Sequence, residues 1–237
     1  MFGFTGDSER GVTVPRLAAS PPVTVPWYRR GRPLPSDSTE YLRWKRFFDV
    51  VFSILLLPLV LPIIACCSLA IAMDSPGRPL FTQWRTGRGG YRFRMYKLRT
   101  MVLEAEEMKS GLSGLNLLSW PDFKIASDPR VTRVGHILRK TSLDELPQIF
   151  NVLRGDMSLI GPRPTSFSHA TYQAWHTARL DVQPGLSGLW QVEGRNELGF
   201  DERCRLDIAY ARHRSLKLDA QILLRTVPRV LSGRGAN

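Results

Sequence analysis

The longest apolar stretch lies between Asp49 and Asp74, where 24 residues, VVFSILLLPLVLPIIACCSLAIAM, carry no charge and show no polar face. At ~1.5 Å per residue, such a run can cross a ~30 Å hydrocarbon core once as a helix. Pro58 and Pro62 stand near its middle, and each removes a backbone donor and crowds the carbonyl four residues earlier. A bend near Pro62 would leave two arms of about 11 to 12 residues, each reaching roughly 17 Å, about halfway through the hydrocarbon. Basic residues flank both ends: Arg43, Lys45 and Arg46 before, Arg78, Arg85 and Arg88 after. Both ends therefore favour the cytoplasmic side. A re-entrant hairpin is preferred to a single span, with the span left open; a buried soluble helix is disfavoured by the missing polar face.

Beyond a turn-rich exit at residues 73–79, apolar and polar residues alternate on both sides of Gly87, Gly89 and Gly90, which predicts a β-hairpin. The glycines open no phosphate-binding loop, since neither GK[ST] nor G-x-G-x-x-G follows. Arg92 and Arg94 against Lys97 and Arg99 suggest a bulge or strand end near Tyr96. Residues 103–118 read as an exposed helix and loop. A short helix is expected over LPQIFNVL, a turn, strand and turn over PGLSGLWQVEGRN, and helix over FDERCRLDIAYARHRSLKLD and the AQILLRTVPRVLS that follows, whose apolar face suits a membrane interface.

Residues 1–40, rich in Pro and Arg, form an expected disordered arm; 41–75 the membrane segment; 76–237 the remaining domain. No signal peptide is expected, because the first long apolar run begins only at Val50. The expected fold class is mixed α/β (α+β): a small cytosolic domain, a proline-broken re-entrant helix hairpin and amphipathic interface helices. A net charge of +12 favours an anionic partner: nucleic acid, anionic lipid head groups or phosphorylated small molecules. Three cysteines, two of them adjacent at Cys66 and Cys67, offer neither a disulfide framework nor metal spacing, and suit a reducing, cytosol-facing setting.

The segment TSLDELPQIF pairs Asp144 with Glu145. Ser142 and Glu145 have the S-x-x-E spacing of a capping box, so a purely local role accounts for them in isolation. Cations gather nearby: Arg139 and Lys140 upstream, Arg154 after the short helix, and Arg163 in a Gly-Pro-Arg-Pro turn stiffened by its prolines. A guanidinium on a rigid turn suits bidentate phosphate recognition.

Together, KRFFDVVFS, YKLRTM, LRKTSLDELPQIFNVLRGDMSLIGPRP and PGLSGLWQVEGRN closely resemble the bacterial sugar transferases, the monotopic polyprenyl-phosphate phosphoglycosyl transferases, over roughly residues 43–230. The resemblance implies transfer of a sugar-1-phosphate from a UDP-sugar to undecaprenyl phosphate, with release of UMP, in the first membrane step of exopolysaccharide or related glycan synthesis. It implies Asp144 as covalent nucleophile and Mg²⁺ ligand, with Glu145 holding metal, orienting Asp144 or capping the helix. Pro62 matches the membrane bend. Arg139 and Arg163 match phosphate-contacting positions, Arg195 a substrate-pocket arginine and Arg99 a basic position of the Y-K-x-[KR]-T-M motif. Asp207 matches a functional acidic position grouped with the substrate-binding residues. The implied location is the cytoplasmic (inner) membrane, with the catalytic domain on its cytoplasmic face; self-association stays open. The rivals are a basic membrane-tethered protein binding anionic lipid or nucleic acid, and a spanning glycosyl transferase that hands over sugar without phosphate. No helix-turn-helix, RRM or zinc module supports nucleic-acid binding.

Overall fold

The computed structural model describes residues 39–116, 125, 127–168, 171–194 and 198–231. The N-terminal arm, apart from its last two residues, lies outside them. The apolar run forms one 36-residue helix, α1 (Thr39–Asp74), that stays helical through Pro58 and Pro62. It is long and apolar enough to cross a membrane, by length and composition. Its buried residues, Asp49, Ser53, Val60 and Ile71, make one stripe. Both prolines fall about half a turn of the helical wheel away from that stripe. A proline bend opens on the proline side, so any bend at these positions would set the buried stripe on the concave face.

Both ends of α1 rest on the same body. Near the start, Arg46 donates through Nη1 to the carbonyl of Val152 (2.5 Å) and through Nη2 to that of Leu153 (2.7 Å). Asp49 accepts the Leu159 N–H at 3.1 Å, and Lys45 meets Asp219 at 2.9 Å. Near the end, Ile71 packs with Leu98 and Leu138, and Asp74 accepts the Val134 N–H at 3.0 Å. A straight helix would set Arg46 and Ile71 ~38 Å apart. Their partners, however, belong to neighbouring segments tied by the Tyr96 N–H to Asn151 Oδ1 hydrogen bond (2.9 Å). Both ends of α1 are therefore tied to one packed unit. Phe47, Phe48, Phe52, Leu55, Leu59 and Leu61 on its outer faces are exposed.

The expected hairpin is β1 (Leu80–Thr86) and β2 (Arg92–Leu98), antiparallel in unbroken register from Leu80↔Leu98 to Thr86↔Arg92. No bulge occurs at Tyr96: strand alternation alone sets Arg92 and Arg94 opposite Lys97. Residues 103–115 form 3₁₀ turns rather than an α-helix. Next come α2 (Arg133–Thr141) and α3 (Gln148–Arg154), then β3 (Ser158–Ile160) and β4 (Gly185–Ser187), which pair in parallel. That pairing is tight enough that a Cβ on Gly185 would lie 2.0 Å from the Gly161 nitrogen. The short strand expected in PGLSGLWQVEGRN is β4, and the turn expected after it is the short helix α4 (Leu189–Glu193), followed by α5 (Phe200–His213) and α6 (Leu216–Leu231).

The main core joins Met95, Val152, Ile160, Leu189, Leu206 and Tyr210. Its burial holds β2, α3 and the parallel pair together and so fixes the segments that carry the polar cluster described next.

Candidate functional site

The turn between α2 and α3 positions the acidic pair. Ser142 adopts φ +59°, the single non-glycine residue with positive φ among the described residues, and its N–H bonds back to the Arg139 carbonyl at 3.2 Å. The left-handed residue stops α2 and reverses the chain. Leu143–Glu145 then forms one 3₁₀ turn in which Ser142 makes no side-chain cap. The capping box is thus absent, because the Glu145 side chain is drawn elsewhere by charge.

Glu145 is gripped by two cations. Arg163 Nη1 donates to its Oε2 at 3.0 Å, Arg163 Nη2 donates to Oε1, and Lys97 Nζ lies 3.0 Å from Oε1. Burial pulls the Glu145 carboxyl upward, but Arg163 and Lys97 outweigh it and hold the group well below the usual carboxylate range. Asp144 is 8% exposed, with Lys97 Nζ 3.8 Å from Oδ2. Burial raises its pKa; Glu145 adds to the rise, while Lys97, Arg163 and Arg139 oppose it. Its carboxylate thus stays available to a ligand of higher charge.

Arg139 donates through Nε to Thr100 Oγ1 at 2.9 Å and adds positive potential at Asp144. Gly135 permits this approach, since a Cβ there would lie 2.2 Å from the Thr100 carbonyl oxygen.

The family model for bacterial sugar transferases matches residues 40–233. The chain belongs to the bacterial sugar transferase family. It is 44% identical to the UDP-glucose:undecaprenyl-phosphate glucose-1-phosphate transferase of Caulobacter vibrioides, over 86% of this chain and 75% of that protein. It is 42% identical to the undecaprenyl-phosphate galactose phosphotransferase of Salmonella typhimurium, over 86% and 43% respectively. It is also 36% identical to the exopolysaccharide production protein ExoY of Rhizobium meliloti, over 81% and 87%. Against several curated relatives, the Salmonella protein among them, the chain spans less than half of their length.

Within this family member the structure gathers Asp144, Glu145, Arg139 and Arg163, and places other sequence candidates apart. Arg99 is 7% exposed and donates to the carbonyls of Ser75 (2.9 Å), Gly77 (3.3 Å) and Pro76. It clamps the exit of α1 instead of joining the cluster. Arg154 bonds Tyr96 Oη at 2.7 Å and Asp156 at 3.4 Å, and Lys140 is exposed. Asp207 is fully buried against Arg179 at 2.5 Å, so it has no surface to offer a substrate. Arg195 lies outside the described residues.

Two cluster residues were missing from the sequence candidates. Lys97 shares its strand face with the buried Met95, and a lysine at an inward position is the signal that marks it. Arg85 lies close enough to Arg163 and Glu145 to feel both; burial first, then Arg163, lowers its pKa to about 10. Its buried Nε has no partner, while Nη2 donates to Gln83 Oε1 at 2.5 Å.

Among the described residues no group of three or more His, Cys, Asp or Glu could enclose a metal ion. Glu145 has both oxygens occupied by cations, which leaves Asp144 as the available carboxylate. One carboxylate suits Mg²⁺, which commonly keeps its waters and shares substrate phosphates, but makes no protein cage. Beside the cluster a cavity of about 710 Å³ lies between α1 and α3, lined by Ile64, Ser68, Leu80, Tyr96, Pro147 and Phe150 among others.

Proposed function

We propose that the chain moves a sugar-1-phosphate from a UDP-sugar to undecaprenyl phosphate, releasing UMP, through a covalent phosphosugar on Asp144. The observation that carries this reading is the asymmetry of the two acids. Glu145 is neutralised by Arg163 and Lys97, whereas Asp144 keeps a buried carboxylate with cations nearby and no guanidinium bound to it. A carboxylate needs no base before it attacks, so the requirement is charge cancellation, which this cluster supplies.

In the first step an Asp144 oxygen forms a bond to the sugar-bearing phosphorus. The bond from that phosphorus to the bridging oxygen breaks, and its electron pair leaves with UMP. In the second step a phosphate oxygen of the lipid attacks the same phosphorus, the Asp144 oxygen leaves and the carboxylate is restored. Arg163 and Arg139 offset charge on the diphosphate, Lys97 holds Asp144 ionised and Arg85 offers free donors to a phosphate oxygen. Mg²⁺, held by Asp144, would supply further charge neutralisation on the diphosphate.

The acceptor suits α1. Exposed apolar side chains on both arms and the aromatic row Trp44, Phe47, Phe48 and Phe52 fit a re-entrant hairpin in one leaflet of the cytoplasmic membrane, with the catalytic body on the cytoplasmic face. The apolar cavity against α1 fits a polyprenyl chain arriving from the side. The step would open exopolysaccharide or related surface glycan assembly, as the similarity to the exopolysaccharide production protein of Rhizobium meliloti suggests.

Membrane fractions supplied with a panel of UDP-sugars and undecaprenyl phosphate should release UMP with one or more of them. Release of UDP would establish glycosyl transfer instead, and no nucleotide release would favour a binding protein. Cysteines engineered near residues 40 and 80 should both label from the cytoplasmic side; labelling from opposite sides would remove the hairpin.

A further inference from the structure

Arg163 stands between two prolines, Pro162 and Pro164, so the turn that carries it has few N–H groups with which to anchor itself. Backbone bonds hold its flanks, from the Gly185 N–H to the Pro162 carbonyl and from the Thr86 N–H to the Thr165 carbonyl, both at 2.9 Å, while the Arg163 carbonyl between them is held by a residue that touches neither Asp144 nor Glu145. Arg179, in the 3₁₀ segment Ala174–Asp181, donates through Nη2 to the Arg163 carbonyl at 2.7 Å. The same nitrogen meets Asp207 Oδ2 at 2.5 Å, while Nη1 donates to Tyr172 Oη at 3.2 Å. Tyr172 Oη in turn lies 2.5 Å from Thr165 Oγ1, one residue past Pro164. One guanidinium therefore reaches both sides of the Arg163 turn.

Arg179 and Asp207 are 4% and 0% exposed. Among the described residues, Arg179 Nε and Asp207 Oδ1 lack hydrogen-bond partners although both are buried. A buried ion pair with unmet groups is a poor source of net stability, because desolvation consumes much of the attraction. What it provides here is direction: a planar guanidinium with Nη2 on a fixed carboxylate and Nη1 on Tyr172 holds a backbone carbonyl in one place.

We propose that Arg179, fixed by Asp207, is a positioning residue for the transfer reaction, setting the Pro162–Arg163–Pro164 turn so that Arg163 meets Glu145 and the donor phosphates. This rests on the phosphosugar-transfer reading above. Asp207 then acts two residues away from the chemistry, through Arg179 and Arg163, and contacts no substrate.

The test is a double-mutant cycle on the full chain in detergent, read as UMP release. Arg179→Lys keeps a positive charge but has one nitrogen in place of two, so it cannot hold the Asp207 and Arg163-carbonyl contacts together with the bond to Tyr172 Oη. It should lower kcat roughly 10- to 100-fold with KM for the UDP-sugar changed by less than about 3-fold. Arg163→Lys should lower kcat at least as far, and the double variant should fall no more than about 2- to 3-fold below Arg163→Lys alone. A merely structural role would reduce the active fraction in both backgrounds and give the product of the two losses, which would overturn the proposal, as would an Arg179→Lys variant with unchanged kcat. Should Arg179→Lys fail to fold, Tyr172→Phe decides, since it leaves the ion pair intact. It should cost about 2- to 5-fold in kcat in the wild-type background and nothing with Arg163→Lys; equal losses in both refute the coupling. Wild-type protein that releases no UMP from any UDP-sugar would sink the functional reading alone. The cycle would then be read in affinity for inorganic pyrophosphate, where Arg179→Lys should weaken binding only when Arg163 is present. Weakening in both backgrounds, or no binding by wild type, overturns the positioning role.

Discussion

Lys97 Nζ stands 3.8 Å from Asp144 Oδ2, close enough to stabilise the carboxylate and too far to occupy it with a hydrogen bond. The nucleophilic role proposed for Asp144 requires a group that is charged yet uncovered, and this spacing meets both needs.

The acid limb of activity should follow from it. Asp144 attacks only when ionised, and burial already raises its pKa above the ordinary aspartate value. Lys97→Met removes the largest opposing charge, so the Asp144 pKa should rise further and the acid limb of kcat/KM should move to higher pH. A limb that stays in place, measured as UMP release from pH 5 to 8, would show that Lys97 does not tune Asp144.

The two acids should separate in a trapping experiment. Asp144→Asn should abolish any sugar-phosphate adduct on the protein, detected by intact mass after incubation with UDP-sugar alone. Glu145→Gln loses the charge that holds Arg163 and Lys97 but leaves the nucleophile, so adduct should still form, on the order of 10- to 100-fold more slowly. Adduct on Asp144→Asn at the wild-type level would refute the covalent scheme.

Stability should depend on pH in opposite senses through two groups. Burial lifts the Asp207 carboxyl to about 6, against about 3.9 for an unfolded aspartate. The folded protein therefore binds this proton more tightly, and the contribution, fully present below about pH 4, is lost as pH rises through about 6. Glu145 is depressed instead, so its contribution is present above about pH 4.3 and is lost as pH falls toward its lower folded value. In melting curves from pH 4 to 7, Asp207→Asn should lose the decline between about 4 and 6 that the wild type shows. Parallel curves would exclude Asp207 as its source.

Ser142 is a backbone requirement rather than a cap. With φ at +59° and no capping bond, Ser142→Gly should retain both fold and activity. Ser142→Val, β-branched in the left-handed region, should cost about 1–2 kcal/mol and displace the Asp144 turn. Equal melting temperatures for the two variants would argue against this role.

The sequence made some of this site legible and concealed the rest for definite reasons. Alternation around Gly87–Gly90 announced the hairpin, and paired prolines marked the Arg163 turn as a rigid mount. The S-x-x-E spacing misled because it registers local compatibility, whereas Glu145 is claimed by cations 18 and 48 positions away in the chain. Arg179 gave no local signal at all: its segment reads as ordinary surface, and its importance arises only where α5 brings Asp207 beneath it. Strand parity marks Lys97, on the same face as the buried Met95; a bulge or strand end near Tyr96 also suits the sequence there, whereas β2 runs in regular register to Leu98.

The docking of both ends of α1, through Lys45, Arg46 and Asp49 at one and Ile71 and Asp74 at the other, has a consequence for life in a bilayer. A helix free at one end can answer a thicker or thinner membrane by tilting. If α1 lies in one leaflet as proposed, tilting would have to break a tether, so the surrounding lipid would deform instead and the height of Asp144 above the leaflet would be a constant of the molecule.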